Sequence, residues 1–196
     1  MNRPTTRRLT PATALFAAAV SLFAPGCEAQ TEKTAPSGVV EMFRDQLETP
    51  TGDAFDSAAL KDKVVLLYFS AAWCGPCKII TPIVKRIEEE ARKKDQGAAV
   101  VLVNLDFSDE EKAAYLQDNE LNWPSIKGTQ NESIQKISNQ YKARRLPTLI
   151  VLSPTGDVIT KNGVEDLRSD PDGALAKWKT RMQTASPAKS SPAAAE

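Results

Sequence analysis

Histidine is absent from this 196-residue chain. That excludes metal sites built on imidazole and every catalytic triad that needs an imidazole base. Cysteine is scarce: Cys27, Cys74 and Cys77 are all there is. Three cysteines do not make a disulfide scaffold, and only two of them are close in sequence. The pattern is one reactive pair plus one cysteine with a separate task. An excess of either charge is also missing, with 25 Lys+Arg against 25 Asp+Glu, so nothing suggests a nucleic-acid partner. The hydrophobic fraction of 41% suffices for a packed core, and the length allows one ordinary domain plus tails.

The start of the chain reads as an address. Arg3, Arg7 and Arg8 come with no acid, followed by the apolar run Ala12 to Ala24. Its 13 residues are too few to span a bilayer, which takes ~20, and they match the core of a secretory signal. The run ends in Ala24-Pro25-Gly26-Cys27, which resembles a bacterial lipoprotein signal, although Pro25 departs from the usual small residue. Residues 1–26 are then a signal peptide of lipoprotein type, and Cys27 is the lipidated residue that anchors the chain to a membrane. The alternative is an ordinary signal peptide cleaved nearby, leaving Cys27 a free thiol. Removing residues 1–26 removes three arginines and no acid, leaving a net charge of −3.

Residues 27–38 are polar and read as a flexible tether, residues 39–184 as the folded domain, and the Ala/Ser/Pro-rich residues 185–196 as a disordered tail. Within the domain, Val64–Phe69 is a continuous apolar run, expected of a strand buried on both faces, and Ala98–Leu105 reads as a second buried strand. From Cys77 to Lys94, apolar residues recur at helical spacing opposite a charged face, with Pro82 inside as a kink site. Ser108-Asp109-Glu110-Glu111 fits a capping box that opens a helix to about Asn119. Trp123–Ile126 reads as a short extended piece and Glu132–Tyr141 as a helix. Thr148–Leu152 and Val158–Thr160 read as a hairpin across a short turn, and Gly173–Thr184 as a closing helix. Val39–Leu47 adds a helix or a strand. The order predicts an α/β fold with a mixed central β-sheet flanked by helices.

Trp73-Cys74-Gly75-Pro76-Cys77-Lys78 lies between a predicted strand and a predicted helix. A cysteine at a helix start faces unpaired amides and the positive end of the helix dipole. Both favour thiolate over thiol, which makes Cys74 the nucleophile. Cys77, one turn on, is placed to attack the mixed disulfide that Cys74 forms. Pro76 presets the helical φ, and Lys78 adds a nearby positive charge. A zinc site would need a second ligand pair and a copper site would need Met or His, so no metal and no cofactor is implied. A purely structural disulfide is the bland alternative.

These residues resemble the thioredoxin superfamily over roughly Leu60 to Asp166. WCGPC reads as the motif itself. Leu146-Pro147-Thr148 before an apolar strand resembles the family's cis-proline loop, whose alternative is a plain strand-start proline. Tyr68-Phe69-Ser70-Ala71-Ala72-Trp73-Cys74 is similar to tryparedoxins and nucleoredoxins, and to exported thioredoxin-like lipoproteins. The resemblance implies a thioredoxin fold, catalysis by Cys74 and Cys77, and substrate contacts from Trp73, Gly75, Pro76, Leu146 and Pro147. Thioredoxin carries a buried Asp six residues before its first cysteine, and here that place holds Tyr68, a poor base. Tyr68 is then a core aromatic with a satisfied hydroxyl. Trp73 either shapes the substrate surface over the dithiol or packs as plain core.

The implied activity is thiol–disulfide oxidoreduction, in the direction of a protein-disulfide reductase on the periplasmic side of a bacterial membrane. Its partners are protein disulfides and an unidentified membrane or periplasmic electron donor. An oxidase or isomerase of the same fold is the alternative, and a thioredoxin-fold binding module the rival from another class.

Overall fold

The computed structural model describes residues 38–184. The expected signal peptide, Cys27, the expected tether up to residue 37 and the expected C-terminal tail all lie outside the described residues. Gly38, the last residue of that tether, sits at φ +92°, and a Cβ there would come within 2.7 Å of the Pro154 carbonyl oxygen. The next amide, Val39 N–H, donates to that same oxygen.

The elements run α1 (Val39–Met42), β1 (Leu47–Glu48), a 3-10 turn (Ser57–Leu60), β2 (Val64–Ser70), α2 (Cys77–Lys93), β3 (Ala98–Asn104) and α3 (Asp109–Asp118). They continue β4 (Ser125–Ile126), α4 (Glu132–Tyr141), β5 (Thr148–Leu152), β6 (Val158–Thr160), α5 (Gly163–Ser169) and α6 (Ala174–Thr184). The sheet order is β1-β4-β3-β2-β5-β6. β2 pairs parallel with β3 and antiparallel with β5, so the sheet is mixed. The β5–β6 hairpin is antiparallel, as the short turn requires. Residues 39–47 supply both a helix and a strand, where the sequence left one or the other open.

Alternation along the strands divides the core in two. Val64, Leu66 and Tyr68 face one side with Val100, Leu102, Leu149 and Val151, under α2 and α6. Val65, Leu67 and Phe69 face the other with Val101, Val103, Ile150 and Leu152, under α1 and α4. A strand with both faces covered reads as an unbroken apolar run. Helices then follow their own signals. Asn131 caps α4 by accepting from Ile134 N–H, and Ser108 caps α3 by accepting from Glu111 N–H. The capping box differs from expectation in one detail: Glu111 reaches back to Phe107 N–H, one residue before the cap.

α5 is absent from the sequence reading. Seven residues long, it buries Gly163, Asp166 and Leu167. A Cβ at Gly163 would lie 2.7 Å from both Cγ and the carbonyl oxygen of Leu149, so this helix exists because its first residue can be pressed onto β5. Asp166 holds α6 against it, accepting from Lys177 Nζ at 2.6 Å, Trp178 Nε1 at 2.9 Å and Arg181 at 3.1 Å.

Candidate active site

Three chain segments meet at the C-terminal end of β2. Ser70 pairs with Asn104 at the end of β3, and Phe69 pairs with Thr148 at the start of antiparallel β5. The register therefore gathers the Ala71–Pro76 loop, the Leu105–Phe107 segment and the approach to β5 at one edge. Parallel pairing places the two strand ends together, and antiparallel pairing places the start of β5 beside them.

Cys74 lies one turn before α2. Its amide donates to Ala71 O, and Cys77 N–H donates to Cys74 O at 3.1 Å, followed by Lys78 to Gly75 and Ile79 to Pro76. These tight turns lead into the helix, with Pro76 as N-cap in helical conformation and no side chain capping the end. In place of a side-chain cap, the Cys74 sulfur accepts from Cys77 N–H at 3.2 Å. Cys74 and Cys77 form a disulfide. Both are buried with Ala71 in a small apolar cluster closed by Leu105 and Leu146. Cys74, and not Cys77, lines an open cleft of about 320 Å³ shared with Trp73, Gly75, Pro76 and Leu146. Access thus distinguishes the two sulfurs, as the helix-start argument does.

The Leu146–Pro147 peptide is cis. Among the described residues the Leu146 backbone makes no hydrogen bond, while Arg145 O accepts from Thr148 Oγ1 at 2.7 Å. Leu146 lines the cleft and Pro147 does not.

Trp73 is 56% exposed, which excludes the plain-core reading. Its ring stacks on Phe107, itself 70% exposed, at a centroid separation of 6.0 Å, and its Nε1 donates to Leu105 O. Tyr68 is fully buried, and its hydroxyl bonds Thr81 Oγ1 at 3.0 Å. Thr81 bonds the Tyr115 hydroxyl, which bonds Ser70 Oγ, each at 2.8 Å. Burial pushes the Tyr68 hydroxyl up to about 12, so it is no base at neutral pH.

Several residues of this site were not singled out from the sequence. Phe107 and Asp106 are among them. Buried Asp106 accepts from Ala72 N–H and Asn104 Nδ2, fixing the loop before the dithiol from the segment that follows β3. Arg144, Arg145, Ala143 and Leu105 complete the cleft. Their only sequence signal is their place just after β3 or just before the cis proline.

Comparison with known proteins agrees with this geometry. A family model described as thioredoxin-like matches residues 62–158. Nucleoredoxin of Danio rerio is 31% identical over 126 residues, which is 64% of this chain and 30% of that protein. The chain thus spans about a third of the length of the nucleoredoxins it matches. The crystal structure of thioredoxin from Wuchereria bancrofti is 35% identical with a TM-score of 0.60, covering 74% of this chain and 98% of that one. Native tryparedoxin I from Crithidia fasciculata is 30% identical with a TM-score of 0.57, covering 66% and 88%. With the dithiol at a helix start, the cis proline beside it and these relatives, the chain belongs to the thioredoxin-like family.

Proposed function

We propose that this chain reduces disulfides of exported proteins through Cys74 and Cys77. The observation that carries the reading is that the cleft reaches Cys74 alone, while Cys77 N–H points at its sulfur. In the reduced protein that amide and the start of α2 favour a Cys74 thiolate. The thiolate attacks one sulfur of a substrate disulfide. A Cys74–substrate bond forms, the substrate S–S bond breaks, and the first substrate thiolate leaves and takes a proton from water. Cys77, deprotonated to water, then attacks Cys74 Sγ. The Cys74–Cys77 disulfide forms, the Cys74–substrate bond breaks, and the second substrate thiolate leaves and takes a proton from water. Two electrons pass from the dithiol to the substrate, and a dithiol donor on the membrane or in the periplasm must return them.

Leu146, with its unpaired backbone, and Trp73 hold the substrate chain over Cys74. Gly75-Pro76 between the cysteines supports the reducing direction, since thioredoxin, with this pair, has a potential of about −270 mV. Residues 1–27 support placement on the periplasmic side of a bacterial membrane, with a lipid on Cys27.

Equilibration with glutathione tests the direction. A potential at or below about −250 mV is expected; a value of about −180 to −120 mV makes the protein an isomerase or oxidase. Insulin reduction with dithiothreitol tests the chemistry. Cys74→Ser is expected to abolish turnover and Cys77→Ser to accumulate a mixed disulfide, and wild-type turnover by Cys74→Ser would sink the mechanism.

A further inference from the structure

We infer that Arg144 and Arg145 select disulfides flanked by acidic residues, an inference that rests on the reductase reading and names its substrate class. Seven arginines lie among the described residues. Arg44, Arg86, Arg92, Arg168 and Arg181 each have a carboxylate within ion-pair distance. The two that pair with no carboxylate among the described residues are Arg144 and Arg145, and both line the cleft that reaches Cys74. Among the described residues, no acidic side chain lines that cleft.

The backbone that carries them is fixed. Lys142 ends α4 in left-handed conformation, at φ 58° and ψ 35°. Ala143 N–H returns to Ser138 O, Arg144 N–H to Lys142 O, and Arg145 O is held by Thr148 Oγ1. Both side chains are exposed. A guanidinium presents a planar fork that matches a carboxylate.

The cleft is therefore two-sided in chemistry. Trp73 lies on it, stacked with Phe107, and offers aromatic surface. Arg144 and Arg145 offer positive charge with no paired carboxylate among the described residues. A peptide whose disulfide sulfur reaches Cys74 runs extended at ~3.3 Å per residue, so side chains one or two positions from the reacting cysteine fall within reach of the arginines. The occupant is an extended peptide disulfide with Asp or Glu beside the reacting cysteine. Exposed pairs are individually weak, so the preference is a matter of several-fold per arginine and is eroded by salt.

The test uses the full chain, reduced, and three peptides activated as neutral 2-pyridyl disulfides. They differ only in carrying Glu, Gln or Lys on both sides of the cysteine. Cys74 attack transfers the peptide sulfur to the enzyme and releases pyridine-2-thione, which is read by absorbance. Cys77 then frees the peptide thiol. Each rate is divided by that of dithiothreitol with the same peptide, which removes intrinsic reactivity. The Glu peptide is expected to react about tenfold faster than the Lys peptide at about 0.02 M salt, and less than about twofold faster at about 0.5 M. R144Q/R145Q brings the ratio close to one, and R144E/R145E inverts it. A wild-type ratio below about twofold at low salt, or one that R144Q/R145Q leaves in place, overturns the inference. A Gln peptide that reacts no faster than with dithiothreitol overturns the reductase reading, and this inference with it.

Discussion

Asp106 accepts the Ala72 amide at 2.8 Å, across 34 residues of sequence, and so sets the loop that enters the dithiol from the segment that follows the neighbouring strand. Its second oxygen accepts Asn104 Nδ2 at 2.7 Å, and its own amide donates back to Asn104 Oδ1 at 2.9 Å. The side chain is fully buried, so no water replaces it when it is removed.

Asp106→Ala should therefore leave two donors unsatisfied. The expected loss is about 2–4 kcal/mol in urea unfolding, with a lowered kcat/KM for insulin as the loop relaxes. Asp106→Asn keeps an acceptor for Ala72 and should lose less of both. Wild-type stability in Asp106→Ala would show that the loop holds itself.

Phe107→Ala should act on substrate rather than on stability. The Trp73–Phe107 stack is exposed on both sides, so unfolding free energy should change by under about 0.5 kcal/mol. An aromatic pair of this kind contributes ~0.5–1.5 kcal/mol, which predicts a rise of roughly three- to tenfold in KM for a protein disulfide. Steady-state kinetics with insulin and with a small disulfide separate the two effects. An equal rise for both substrates would argue against a contact specific to protein chains.

Tyr68→Phe should remove an alkaline weakness and leave the chemistry intact. Burial pushes the Tyr68 hydroxyl up to about 12 from an ordinary value near 10. The folded value is raised, so this contribution is complete below pH 10 and is lost as pH climbs from 10 towards 12, where only the unfolded chain ionises. The difference between the two proteins across that window should be about 2–3 kcal/mol, read by urea unfolding. At neutral pH the variant should lose about 1 kcal/mol for the bond to Thr81 and keep turnover within about twofold. A hundredfold fall in turnover would put the hydroxyl in the reaction.

Asp166→Asn tests the opposite sign. Burial alone would raise this carboxyl, but hydrogen bonds from Lys177 and Trp178 and the charge of Arg181 outweigh it and hold it below its ordinary value. A depressed value contributes stability above the unfolded value near 3.8, lost as pH falls through the folded one. The variant should be about 1–3 kcal/mol less stable at neutral pH, and should converge on the wild type in strong acid. Parallel acid limbs in the two proteins would contradict the assignment.

Features that depend on local pattern are legible in the chain alone. The runs beginning at Val64, Ala98 and Thr148 became strands because both faces of a central strand are covered, which confines polar residues such as Ser70, Asn104 and Thr148 to the strand ends. The helix start at Cys77 followed from spacing and that at Asp109 from the Ser108 capping side chain, while the Asn131 cap before Glu132 came to light in the structure. The Cys74–Cys77 pair was legible for the same reason, since its chemistry comes from a helix start three residues away. The folded arrangement supplies what depends on register. It brought Phe107 under Trp73, Asp106 to the Ala72 amide, and Arg144 and Arg145 to the mouth of the Cys74 cleft. It also made α5, whose first glycine fits against Leu149. None of these has a local signature, because each arises where strands far apart in sequence end at the same edge of one sheet.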